Sequence, residues 1–179
     1  MFKRDWVFQT KNISPGVNSC KYIVLHHTGV IGAGNLPILL WERKARVSVH
    51  FYIDRTWKAY KLSDPKKITR HAGRAQRGKI FDVNANSLGI EIEGSNTSWF
   101  TDKQYARVVE LVTHLQTAFG IKKENILKHS DITWSGSKNM QLWDGKSPAR
   151  KIDVSPKLWR DRWFANFSWR REAKFLVIK

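Results

Sequence analysis

Between Lys21 and Thr28 the chain reads Lys-Tyr-Ile-Val-Leu-His-His-Thr, and this stretch narrows the available folds more than any other. Ile23, Val24 and Leu25 are consecutive apolar residues, a run of strand length with no face suited to water. A strand apolar on both faces needs a covering layer on each side, so residues 22–26 are expected to form a buried strand of an α/β sheet. Open α/β sheets place ligands beyond the carboxyl ends of their strands, where His26 and His27 stand. Side chains alternate along a strand, so the two imidazoles face opposite ways. A histidine held at that end of a rigid strand is a good first metal ligand, and one facing the other way, as His27 does from His26, is a structural residue. The plain alternative is that both are ordinary buried, hydrogen-bonded histidines.

The rest of the chain supplies layers for such a strand. Residues 36–46 read as a short helix with Asn35 as N-cap. Val47-Ser-Val-His-Phe-Tyr-Ile-Asp54 reads as a strand, with residues 56–62 as its hairpin partner. Residues 63–84 are basic and loop-like. Residues 87–94 alternate, with Glu91 and Glu93 on one face and Ile90 and Ile92 on the other. The clearest helix is 102–119: Thr101 and Gln104 form a capping-box pattern, Tyr105, Val108, Val109, Val112, Leu115 and Phe119 make an apolar stripe, and Gly120 ends it. Residues 126–132 are strand-like, 133–148 a long loop, and Ser155-Pro156 opens a final helix. Alternating strands and helices predict a single α/β domain with a mixed central β-sheet flanked by helices, over residues 1–156.

Composition limits the chemistry. Cys20 is the only cysteine, so neither an intramolecular disulfide nor a Cys-rich zinc site can form, and a transition-metal site must draw mainly on His and carboxylate. Lys and Arg number 32 against 15 Asp and Glu, a net charge of +17 that favours polyanions such as nucleic acid, anionic lipid or bacterial envelope polymers. The charge is spread along the chain, which argues against a simple DNA-binding arm, and no nucleic-acid partner is expected. No apolar run approaches the roughly 20 residues of a membrane-spanning helix. No secretory leader is visible either, so the expected product is cytoplasmic and reaches a cell wall only after release.

Six motifs in order then carry a resemblance: Leu25-His-His-Thr28, Val47-Ser-Val-His50, His71-Ala-Gly73, Asn86-Ser-Leu-Gly-Ile-Glu-Ile-Glu-Gly94, Lys128-His-Ser-Asp-Ile132 and Arg150-Lys-Ile-Asp153. Together they resemble the type-2 N-acetylmuramoyl-L-alanine amidases, which include phage endolysins, wall-recycling amidases and peptidoglycan-recognition proteins. The similarity covers roughly residues 20–157. It implies a Zn2+ ion held by His26, His129 and Asp153, with Lys151 stabilising the oxyanion and Glu91 as general base. Some members use instead a tyrosine just before the His50 position; here Val49 stands there, and Glu91 carries that role with Glu93 as fallback. Three N/O ligands with an open fourth position suit a catalytic zinc. His50 and His71 are candidate substrate contacts; for His50, mid-strand between apolar residues, a packing or cleft-lining role is favoured, and for His71 a plain loop residue is the equal alternative. Asp131 is expected to make turn or supporting hydrogen bonds near His129. Asp144, in a segment longer than the family's usual loop, rivals Asp153 as third ligand.

The resemblance implies hydrolysis of the amide between N-acetylmuramic acid and L-alanine, with peptidoglycan as partner. The charge and the small single domain favour a phage endolysin acting as a monomer in lysis; a recycling amidase, a delivered effector amidase and a non-catalytic peptidoglycan-binding module are the alternatives. Residues 157–179 lie outside the resemblance. They hold Trp159, Trp163, Phe164, Phe167, Trp169 and Phe175 among seven basic residues and two acids. This C-terminal extension is expected to pack on the same domain; otherwise it is a segment for an anionic envelope or membrane surface.

Overall fold

The apolar run Ile23-Val-Leu25 does become an interior strand of a sheet. In the computed structural model the described residues are 6–32, 35–40, 46–77, 79–94 and 100–134. Their elements in chain order are β1 (Trp6–Val7), β2 (Ile13–Ser14), β3 (Tyr22–His27), α1 (Asn35–Leu40), β4 (Phe51–Ile53), β5 (Ala59–Lys61), β6 (Ile68–Thr69), β7 (Ala75–Arg77), β8 (Ile80–Phe81), β9 (Ser87–Ile92), α2 (Asp102–Phe119), β10 (Ile126–Lys128) and β11 (Thr133–Trp134). The main sheet has the order β1-β5-β4-β9-β3-β10. Strands β4, β9, β3 and β10 run parallel, while β5 pairs antiparallel with β4 through the hairpin around Asp54. The architecture is the expected mixed α/β sheet.

Register decides which residues share a face. Ile23, Leu25 and His27 of β3 lie opposite Leu88, Ile90 and Ile92 of β9, and Phe51 and Ile53 continue the row on β4. These residues pack against Val108, Leu111, Val112 and Leu115 of α2, all buried. Each such aliphatic side chain contributes about 2 kcal/mol by leaving water. Helix α2 starts and stops as its sequence predicts. The Thr101 hydroxyl accepts from the Gln104 amide, the Gln104 side chain accepts from the Thr101 amide, and Gly120 closes the helix in the left-handed region. The stripe differs in one place: Leu111, not Val109, is a core member.

The opposite sheet face carries Val24, His26, Gly89, Glu91 and Tyr52. It is covered by the chain between β5 and β9, through a second core of Val24, Ala72, Ala75, Val83, Leu127 and Ile132.

Several expectations are corrected here. Residues 47–50 are not strand. Ser48 and His50 turn inward, and the Ser48 hydroxyl donates to the Asn12 carbonyl while accepting from the Arg70 amide. Their backbone bonds are scattered, Ser48 to Arg70 and His50 to Gly89 and Leu62, and the regular ladder begins at Phe51. The basic stretch 63–84 contains β6, β7 and β8, which pair with β2, β11 and each other. Helix α1 begins at Asn35 itself and is described to Leu40, and Arg46 lies in the left-handed region. The expected later part of the 133–148 loop, the final helix and the C-terminal extension fall outside the described residues.

Candidate active site

Strand β3 delivers His26 to the rim of a cleft of about 260 Å³ whose walls include Thr28, Val30, Leu39 and Val49, with Glu91, His71 and His129 also lining it. His129 arrives from the neighbouring strand. β10 ends at Lys128, and a 3-10 turn over His129–Asp131 swings the imidazole over β3. Asp131 fixes that turn: its carboxylate accepts from the Lys128 amide at 2.9 Å, and its carbonyl accepts from Arg77 at 3.0 Å. The expected supporting role of Asp131 is therefore played through the backbone before His129.

The nearest ring nitrogens of His26 and His129 are both Nδ1, 3.2 Å apart. Two nitrogens bound to one tetrahedral zinc at about 2.0–2.1 Å would stand roughly 3.3 Å from each other. The pair is spaced as two corners of such a site, and imidazole is a donor zinc accepts readily. His71 does not offer a third corner, because its Nδ1 faces the other nitrogen of His26, Nε2, at 2.9 Å. Among the described residues no group of three His, Cys, Asp or Glu is arranged to hold a metal. Asp153, its rival Asp144 and Lys151 all lie outside the described residues.

Glu91 stands beside His26 in register, on the adjacent parallel strand and the same face. It is half-buried and lines the cleft, where a general base has to be. Glu93, two residues on, is committed elsewhere. Its carboxylate accepts from the Gly32 amide at 2.6 Å and the Arg55 amide at 2.8 Å, and so ties the loop after β3 to the β4–β5 hairpin. Tyr52 adds its hydroxyl to Glu93, and burial followed by that carboxylate's charge pushes the phenol well above its ordinary range. Val49, just before His50, is a buried apolar wall of the cleft.

His50 is not a substrate contact. It is fully buried; its Nδ1 accepts from the Gly89 amide at 3.0 Å and from the Thr69 hydroxyl at 3.0 Å, and its Nε2 donates to the Lys67 carbonyl at 2.9 Å. Burial lowers its pKa to about 4, so it is neutral near pH 7. The favoured packing role is what these contacts describe: His50 is a stitch between β9 and residues 67–69. His71 reaches the cleft wall yet is 9% exposed, with both ring nitrogens turned to protein groups. Burial, then the neighbouring histidines, lowers its pKa well below 6.5. His27 behaves as expected, accepting from the Gly29 amide at 2.8 Å and packing edge-on against Phe100.

Reading residues one at a time overlooked the supports of His71. They are Asn84, whose side-chain oxygen accepts from the amides of His71 and Ala72; Ser87, 3.2 Å from Nε2; and Gly89. A Cβ on Gly89 would sit 2.5 Å from the His71 ring. A glycine inside a strand was the available signal, since it marks a close approach.

The chain is 33% identical over 109 residues to the 1,6-anhydro-N-acetylmuramyl-L-alanine amidase AmpD of Haemophilus influenzae, a match covering 60% of this chain and 52% of the relative. It is 28% identical over 145 residues to AmpD of Escherichia coli, covering 81% and 72%. The match thus spans about half the length of the first relative and nearly three quarters of the second. The fold is also that of the endolysin N-acetylmuramoyl-L-alanine amidase LysCS from Clostridium intestinale, with a TM-score of 0.57 at 19% identity over 79% of this chain and 95% of that one. A family model described as N-acetylmuramoyl-L-alanine amidase matches residues 16–141, more than half of the chain and every site residue placed above. On that extent of agreement, the chain belongs to the N-acetylmuramoyl-L-alanine amidase family.

Proposed function

We propose that this protein is a zinc-dependent hydrolase of the amide bond between N-acetylmuramic acid and L-alanine in peptidoglycan, and that it serves phage-driven lysis. The observation that carries the reading is the pair of Nδ1 atoms of His26 and His129 at 3.2 Å, with Glu91 next to His26 in register. His26 and His129 would hold the ion, and Asp153 is the proposed third ligand. Bound there, zinc supplies a Lewis acid and brings the pKa of a coordinated water to about 7.

The chain's own residues do the rest. Glu91 takes a proton from the attacking water on its carboxylate and returns it to the alanine nitrogen as that amine leaves. Lys151 offsets the negative charge gathering on the amide oxygen, a contribution of roughly 3 kcal/mol in comparable sites. The apolar walls at Leu39 and Val49 suit the lactyl and alanyl methyl groups of the substrate.

The lysis setting is supported by the net charge of +17, which suits an anionic envelope, and by the fold shared with endolysins. The basic aromatic extension at 157–179 is the proposed envelope contact, and the enzyme reaches the wall after release from the cytoplasm. A recycling role is the second reading, favoured by the curated relatives' description as 1,6-anhydro amidases. Digestion of purified sacculi, with mass analysis of the products, tests both. The proposal expects free L-alanine amino termini on released stems, intact glycan strands, and no digestion after chelation. Cleaved glycan or cleaved cross-bridges would refute the bond assignment. Activity on soluble anhydro-muropeptides without activity on sacculi would favour recycling.

A further inference from the structure

Zinc ligands made of histidine need their binding nitrogen unprotonated, and the tautomer is set by whatever the other ring nitrogen meets. Around His26 that question can be followed atom by atom. The Ser87 hydroxyl lies 2.5 Å from the Val83 carbonyl, and a carbonyl can only accept, so the hydroxyl proton points there. Toward His71 Nε2, 3.2 Å away, Ser87 Oγ is then an acceptor, and Nε2 must carry the hydrogen. With its hydrogen on Nε2, this tautomer of the His71 imidazole presents a lone pair at Nδ1. That lone pair faces His26 Nε2 at 2.9 Å, which must donate. His26 Nδ1 is left as the basic nitrogen, aimed at His129 Nδ1.

The scaffold around His71 is built to hold this chain of donors. Asn84 accepts from the backbone amides of His71 and Ala72 at 3.1 and 2.8 Å and donates to the Gly73 carbonyl at 2.8 Å. Gly89 leaves open the space the imidazole fills against the sheet.

We propose that His71, backed by Ser87 and the Val83 carbonyl, is a positioning residue that locks His26 in the Nε2–H tautomer and so presents Nδ1 to the metal. This rests on the zinc-amidase reading for its purpose, and it assigns to the His71-Ala-Gly73 element a task other than touching substrate. Supporting partners of this kind are worth about 10–100-fold in metal affinity.

The test is zinc affinity of the full chain, measured by competition with a chromophoric chelator, together with 15N NMR of the imidazoles in the zinc-free wild type. His71→Phe keeps the ring volume and removes the acceptor; affinity is expected to fall about 10–100-fold. His71→Asn can offer its side-chain oxygen where Nδ1 was, and is expected to recover most of the loss. The NMR spectrum should show His26 protonated at Nε2. Unchanged affinity in folded His71→Phe, or a His26 proton on Nδ1, would overturn the relay even with amidase activity intact. The predicted order of affinities with no amide cleaved from muropeptides would leave the relay standing and the amidase reading refuted.

Discussion

At the scale of single residues, the site separates two carboxylates that the sequence presents as equals. Glu91 and Glu93 share a strand face, yet Glu93 spends its oxygens on the Gly32 and Arg55 amides while Glu91 opens on the cleft. Glu91→Gln should therefore lower kcat by about 10²–10⁴-fold while leaving zinc affinity near wild type, as read by product release and chelator competition. Glu93→Gln should act through the fold instead: it weakens the two amide contacts and lowers Tm before it affects proton transfer. Gly89→Ala forces a methyl against the His71 ring and should cost about 1–3 kcal/mol in stability, measured by denaturant unfolding, with a parallel loss of zinc affinity. The opposite orientations of His26 and His27 were legible from strand alternation alone. The packing role of His50 was legible from its apolar neighbours; its partners Gly89, Thr69 and Lys67, and the Ser87 and Asn84 supports of His71, were not, because they lie many residues distant.

At the scale of elements, α2 and β9 could be read directly, since caps and alternation are local signals. Thr101→Ala removes the oxygen that accepts from the Gln104 amide and should destabilise the fold by about 1 kcal/mol in chemical denaturation. Residues 47–50 and the short strands β6, β7 and β8 were hidden, because side-chain hydrogen bonds and two- or three-residue pairings leave no period in the sequence. His50 belongs to this scale, since it joins β9 to residues 67–69. Its pKa is about 4 in the fold and 6.5 in the unfolded chain. The unfolded state takes up the proton first, so the His50 contribution is whole above pH 6.5 and is lost as the pH falls from 6.5 to about 4, by up to about 3 kcal/mol. Replacing it by Asn should flatten that part of the stability–pH curve, which unfolding midpoints across this window would report.

At the scale of the whole molecule, the sheet brings His26 and His129 together from positions 103 residues apart by pairing β3 with β10 in parallel. No local spacing rule could have joined them; the order of six motifs did so through resemblance, and the same resemblance is what names Asp153 and Lys151. The net charge acts at this scale too. Sedimentation with sacculi should weaken several-fold as salt rises from about 0.05 to 0.5 M, because contacts with an anionic polymer are screened over that range. The account as a whole turns on one ion between two imidazoles. X-ray absorption at the zinc edge, on the zinc-loaded full chain, addresses it most directly. It should show two imidazole ligands at about 2.0 Å with oxygen completing the shell, and one imidazole fewer in His129→Ala. A sulfur ligand from Cys20, or an unaltered spectrum in His129→Ala, would contradict it.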